Sequence, residues 1–250
     1  MPTLRPYILL SGCLFAAYAQ ANPLEFLKNM EISVGAGPSW FTANNGLVQA
    51  TAAEQDQAVV NNVSSGLLKK IGLGYHLFAQ QLADRPYLND LLVELNYYHV
   101  NSSINGVVNL SGDPDFNYWN FRAPLSSTRL MLDIKPSLFT YQHISPYPIL
   151  GMGLAWNHLS FNETPTFQDA SDQGADTHLA ADTNRQITYD LGLGARYAIS
   201  EHLHASIDYI YNWAGNLTTS TTAVTGNSVI TAPSFTTRSQ NILVNLSWRF

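Results

Sequence analysis

Cysteine is nearly absent. Cys13 is the single thiol among 250 residues, and it lies in a segment expected to be removed, so disulfides and thiol catalysis are excluded for the mature chain. Charge is scarce too: 12% of residues are charged, about half the share of ordinary soluble domains. Long apolar runs are missing, since nothing in the expected mature chain approaches the ~20 consecutive apolar residues of a spanning helix. Mean hydropathy is nevertheless −0.06. Apolar residues are therefore plentiful but interleaved with polar ones. A basic excess is lacking as well, with 12 Lys and Arg against 18 Asp and Glu and a net charge of −6, which argues against nucleic acid as a partner.

What is present begins with a leader. Arg5 is the only charge before the apolar run Tyr7 to Tyr18, which ends in Ala19-Gln20-Ala21. A positive start, an apolar centre and a small-x-small end describe a secretory signal peptide. Residues 1–21 are expected to be cleaved, leaving a mature domain over 22–250 that starts near Asn22. A lipoprotein signal ending at Cys13 is the competing reading, because Leu10-Ser11-Gly12-Cys13 has the lipobox pattern. It is disfavoured because about five apolar residues precede Cys13, fewer than the ~7 such a segment needs.

Alternation is the dominant pattern. In Asn241 to Phe250, the residues Ile242, Val244, Leu246, Trp248 and Phe250 share one face. Asn241, Leu243, Asn245, Ser247 and Arg249 share the other, a period of two that marks a strand between unlike surroundings. Seven earlier segments repeat it: Met30–Trp40, Leu67–Leu77, Leu91–His99, Arg129–Leu138, Leu150–Asn157, Ile187–Tyr197 and Leu203–Trp213. Long polar connections at about 41–66, 100–128, 158–186 and 214–239 alternate with shorter ones at about 78–90, 139–147 and 198–202. Short inner turns and long outer loops are the outer-membrane arrangement, with both termini in the periplasm. Trp40, Tyr97, Trp156, Tyr189, Tyr211 and Trp213 then fall near the outer rim, and Tyr75, Tyr197, Trp248 and Phe250 near the inner one. The expected fold is all-β, an eight-stranded antiparallel up-and-down transmembrane β-barrel.

With its closing aromatic strand and motifs such as Tyr189-Asp-Leu-Gly-Leu-Gly-Ala-Arg-Tyr197, the mature chain resembles the small outer-membrane barrels: the OmpA membrane domain, OmpX, OmpW and the opacity-type surface proteins. The resemblance implies the bacterial outer membrane as location and lipid and lipopolysaccharide as surroundings. It also implies that Trp248 and Phe250 serve as a signal for the outer-membrane assembly machinery. The fold does not choose among the functions of such proteins.

The interior is expected to hold Glu31, Lys70, Glu94, Arg129, Asp133, Lys135, Asp190, Arg196, Asp208 and Arg249, five charges of each sign. Eight strands enclose a bore that side chains fill, so a structural ion network is expected rather than a wide pore. The external loops are the place for specificity, as a contact surface for a host or surface ligand. Acidic residues Glu163, Asp169, Asp172, Asp176 and Asp182 in the third loop match no calcium-loop spacing. Loop segments Thr218–Thr222 and Ser228–Thr231 are β-prone.

Two arrangements could hold chemistry. His202-Leu-His204 would place two imidazoles on one strand face, but no third metal ligand accompanies them. His158-Leu-Ser160 resembles the His-x-Ser pair of lipid A deacylases, with Phe161 where that family is expected to carry Asn. The expected function is a non-enzymatic surface barrel, without cofactor or metal, that anchors loops for adhesion or partner binding. The alternatives are a narrow channel for small apolar molecules and a lipid A deacylase.

Overall fold

The computed structural model describes residues 23–49, 55–77, 89–117, 119–166, 178–220 and 233–250. Residues 1–22, including Cys13 and the expected leader and cleavage site, lie outside them. A short helix α1 (Pro23–Lys28) leads into ten strands. These are β1 (Met30–Ala43), β2 (Gly46–Gln49), β3 (Gln55–Val63), β4 (Gly66–Leu77), β5 (Asp90–Asn109), β6 (Trp119–Ser137), β7 (Ile144–Pro165), β8 (His178–Ala198), β9 (Leu203–Thr218) and β10 (Ser234–Arg249).

Eight of them close a ring. The order β5-β4-β1-β10-β9-β8-β7-β6 returns through the β5–β6 pairing, every pair antiparallel. The sequence segments read as strands are the lower parts of these eight. A register row starting at Ile32 passes Leu73, Leu95, Leu132, Met152, Tyr189, Trp213 and Arg238. It returns to β1 at Thr42, ten residues further along the strand. That stagger tilts the strands, and with eight strands it leaves an interior only wide enough for side chains.

The strands run well past the membrane. Spanning takes ~9–11 residues, yet β5, β7 and β8 have 20, 22 and 21. Most of what reads as external loop is thus sheet: within the expected connections 100–128 and 158–186, strands β5 to β8 take up 100–109, 119–128, 158–165 and 178–186. The first expected loop contains the hairpin β2–β3, in which β3 takes over from β4 as the neighbour of β5 above Ser64. Of the two segments read as β-prone, Thr218 ends β9, while 221–232 lie outside the described residues.

The reason these stretches escape a search for membrane strands is an inversion of polarity. On β6, Leu130, Leu132 and Ile134 point outward and are 39–51% exposed, while Arg129, Asp133 and Lys135 point inward. Above Thr128 the alternation continues with its signs exchanged. Trp119, Phe121, Ala123 and Leu125 are buried inside, and Asn120 and Arg122 are exposed outside. Leu159 and Phe161 on β7, Leu179 on β8, Leu217 on β9 and Phe235 on β10 join the same core. Phe121 stacks on Phe161 at 5.1 Å and on Phe235 at 6.0 Å.

Below the boundary the outer surface is oily and the inside polar, as lipid requires. Above it the outer surface is polar and the inside oily, as water requires. On β6 the outward apolar run Leu130–Leu138 covers about 20–25 Å of membrane at a tilt of about 40°. Trp40, Tyr97, Tyr189 and Trp213 edge this band externally, and Tyr197, Trp248 and Phe250 edge it at the periplasmic end, each at 38–50% exposure.

The chain's lack of cysteine beyond Cys13 makes the topology directly testable. Asp115→Cys, in the tip between β5 and β6, is expected to react with a membrane-impermeant maleimide on intact cells. Glu201→Cys, in the turn between β8 and β9, is expected to react only after the outer membrane is permeabilised. Labelling of the Glu201 variant on intact cells would reverse the orientation.

Candidate functional site: the charged lumen

Alternation on eight tilted strands delivers the charged side chains to one narrow interior, where none can reach bulk water alone. Each must find a partner. Glu94 on β5 is the hub. Its Oε1 and Oε2 accept from Lys70 Nζ at 3.0 and 2.9 Å, and its Oε2 lies 2.8 Å from Lys135 Nζ. Ser33 Oγ donates to it at 2.5 Å and Asn96 Nδ2 at 3.0 Å. Lys135 continues across the bore to Asp208 Oδ2 at 3.2 Å, and Tyr147 OH donates to the other oxygen of Asp208 at 2.5 Å. Strands β4, β5, β6, β7 and β9 are thus tied through one group of buried charges.

Two further groups flank this one. Toward the outside, Asp133 accepts from Asn96 at 2.7 Å and Tyr98 at 2.9 Å. Asn212 Nδ2 donates to Asp190 at 2.6 Å, and Arg129 stands 4.0 Å from the same carboxylate with its guanidinium 5.3 Å from the Tyr98 ring centre. Toward the periplasm, His76 bridges Asp90 at 2.6 Å and Glu31 at 2.9 Å, and Arg196 reaches Glu31 at 3.1 Å. Small residues make the space. A Cβ on Gly72 would collide with Ser33, Asn96 and Glu94, and one on Gly194 with Tyr147 and Asp208.

Nine of the ten expected lumen charges therefore sit together inside the bore. Arg249 does not join them. It lies at the periplasmic rim, where its guanidinium donates to the Lys28 carbonyl at 3.3 Å and Asn29 Oδ1 at 3.4 Å and so fastens the end of α1. The last strand residue is simply too near the mouth to reach the network. His76, Asn96, Tyr98 and Tyr147 belong to the network although charge counting overlooks them; the inward alternation of β4 and β5 carries the signal for the first three. Trp248 and Phe250 lie outward at the periplasmic rim. Trp248 stacks with His202 at 5.5 Å, and the Phe250 N–H donates to the Met30 carbonyl at 3.1 Å, sealing β10 to β1.

A cavity of about 280 Å³ opens at this end, with His76, Asp90, His143, Arg196, His204 and Arg249 in its wall. His202 and His204 do not share a face: β9 begins between them, so His202 stacks outside while His204 points into the mouth. At the other end, His158 and Ser160 both lie outside the barrel, but a register shift between Leu159 and Phe161 displaces Ser160. His158 Nδ1 instead lies 3.2 Å from Thr183 Oγ1, and among the described residues no hydrogen bond joins it to Ser160. Of the third-loop acids, Glu163 is buried in β7 and Asp182 binds the Thr183 N–H; Asp169, Asp172 and Asp176 lie outside the described residues.

Breaking a buried charge group by removing one member typically costs ~3–5 kcal/mol, because the remaining charges stay buried. Glu94→Gln is expected to lower unfolding free energy by about 3 kcal/mol, read from urea titration of the barrel folded in lipid. Adding Lys70→Met should recover part of the loss, since it removes a cation left without its carboxylate. Equal stability of wild type and Glu94→Gln would show that the hub does not hold the barrel.

The chain matches the family model described as outer membrane protein beta-barrel domain over residues 7–250. No curated protein matches it in sequence. Among solved structures, Neisserial surface protein A aligns at 16% identity and TM-score 0.37, covering 89% of this chain and 97% of that one. OprG from Pseudomonas aeruginosa aligns at 13% and 0.42, covering 88% and 95%. A major outer membrane protein from Thermus thermophilus aligns at 12% and 0.45, covering 88% and 99%. At such identities likeness concerns the fold alone. The family match, spanning nearly the whole sequence, goes further: this chain belongs to the outer membrane protein beta-barrel domain family, and its place is the bacterial outer membrane.

Proposed function

We propose that this protein is a closed, non-enzymatic barrel that holds a β-structured platform above the membrane for contact with an external partner. One observation carries this reading: the bore is filled twice, by the ion network within the membrane and by the apolar core of Phe121, Phe161, Phe235 and their neighbours above it. A solute would have to open both. The platform offers what binding needs, a rigid scaffold with four connections at one end. The His158 geometry favours the same reading, because a base already engaged with Thr183 is not poised on Ser160.

A closed barrel without acyl-transfer chemistry is expected to give no stable open conductance in planar bilayers, and lipid A from expressing cells is expected to keep its mass. Steady conductance would favour the narrow channel. Loss of an acyl chain, abolished by Ser160→Ala, would establish the deacylase instead.

Trp248 and Phe250 are the proposed contact for the assembly machinery, with the sealing bond from Phe250 to Met30 as the product of that step. Deleting Phe250 is expected to leave unfolded protein in the periplasm, visible as loss of the heat-modifiable folded band on gels. Normal yield of folded barrel without Phe250 would remove it from that role.

A further inference from the structure

Above the ion network the bore is filled, but below it the barrel is hollow. The cavity at the periplasmic mouth takes its wall from seven ring strands, β4 to β10, and from the residues that adjoin their ends. Its volume of about 280 Å³ is that of roughly nine waters at ~30 Å³ each, room for a small organic molecule rather than for one ion. Apart from Ala198, every residue in the wall is polar or charged. A tight turn fixes one side of it. Tyr141 and Ile144 exchange backbone bonds at 2.9 and 3.0 Å, with Gln142 at a φ of 57° between them. The hydroxyls of Thr140 and Ser145 meet at 2.8 Å, and Asn89 Nδ2 donates to Thr140 at 3.3 Å.

Four side chains form one hydrogen-bonded arc beside this cavity. Arg196 Nη2 donates to Glu31 Oε1 at 3.1 Å, and Glu31 Oε2 lies 2.9 Å from His76 Nε2. His76 Nδ1 in turn lies 2.6 Å from Asp90 Oδ2. The middle of the arc is satisfied and its two ends are not. Arg196 Nε and Asp90 Oδ1 are buried, and among the described residues neither has a hydrogen-bond partner. Both residues line the cavity, as does His204, whose Nδ1 is also buried without a partner. Native structures leave few buried polar atoms unmet, so three around one cavity point to a ligand that meets them. Arg249, in the same wall, directs its bonds to the Lys28 carbonyl and Asn29 Oδ1 and not to a carboxylate.

These open groups define their complement. Two guanidinium groups and an imidazole ask for an anion with more than one oxygen, and a carboxylate matches guanidinium geometry. Asp90 Oδ1 asks for a donor. Because His76 already bonds the other oxygen of Asp90, one hydroxyl suffices. The Ser, Thr, Asn and Gln side chains of the wall suit further hydroxyls and offer a hydrocarbon chain nothing. We infer that the periplasmic mouth is a binding site for a small polyhydroxylated carboxylate, a sugar acid by class. Its carboxylate faces Arg196, His204 and Arg249, and one of its hydroxyls donates to Asp90 Oδ1. The ligand enters from the periplasm and goes no further, since Lys135, bridged to Glu94 and Asp208, closes the bore above it. This site does not depend on what the outer platform contacts.

Isothermal titration calorimetry of the full barrel in lipid nanodiscs tests this with three probes. Gluconate carries both features, sorbitol keeps the hydroxyls without the carboxylate, and propionate keeps the carboxylate without the hydroxyls. Gluconate is expected to bind saturably, and each of the other two about tenfold more weakly. Arg196→Gln and Asp90→Asn are each expected to weaken gluconate binding about tenfold. Arg122→Gln, exposed outside the barrel toward its other end, is expected to change nothing. Heat-modifiable migration verifies folding of each variant. Arg196 and Asp90 also belong to the ion network, so if either variant does not fold, His204→Ala decides by weakened gluconate binding. Absence of saturable gluconate binding, equal binding of gluconate and either other probe, or unchanged binding by the folded variants would each overturn the assignment.

Discussion

Hydrocarbon offers a backbone N–H or C=O nothing to bond with, and each such group left unpaired costs several kcal/mol. For a chain that crosses lipid as strands, this forces a ring with no edge. Here the seam lies between β1 and β10, paired from Glu31 and Arg249 at one end to Ala43 and Thr237 at the other. The remaining architecture follows from closing that seam with eight strands and a ten-residue stagger. Tilt, bore and the packing of the interior are consequences, and so is the placement of the terminal Phe250 beside Met30.

A bore this narrow makes the inward residues neighbours across the barrel as well as along it. Lys135 and Asp208 are 73 residues apart in the chain, and Arg196 and Glu31 are 165 apart. Such pairs contribute little net stability compared with an apolar filling, since desolvation offsets much of the attraction. Their value is positional. A strand shifted by one residue would send its charges into lipid, and shifted by two would part Glu94 from Lys70 and Lys135 together. The network therefore holds register where outward Leu and Ile, interchangeable along a uniform lipid face, cannot.

The polarity inversion near Thr128 divides the barrel into two parts built on the same strands. Within the membrane the sheet is a lipid protein with a polar heart. Above it, the sheet is a water-soluble one with an aromatic core of Phe121, Phe161 and Phe235. The outer aromatics gather where the two regimes meet, because indoles and phenols each have one part suited to oil and one to water. The platform above that line is stiff because its own core supports it, and stiffness is what a contact surface gains from extending strands instead of loops.

Much of this was legible in the residue order. Alternation over eight segments, few charges without long apolar runs and two aromatic belts determine a membrane barrel, its strand directions and the inward face of nine of the ten lumen charges. The outer reaches of β5 to β10 read as loops in the sequence because their alternation has the opposite sign. A search for oily outward faces passes over Trp119-Asn-Phe-Arg-Ala-Pro-Leu125, although its period is the same. Only the tertiary structure decided which charges meet. Pairing depends on stagger and on distances across the bore, so Glu94 became a hub, Arg249 fell short at the rim, and Tyr147 entered from what reads as a turn. The one-dimensional pattern specifies a face for each residue; closure of the ring in three dimensions selects its partners.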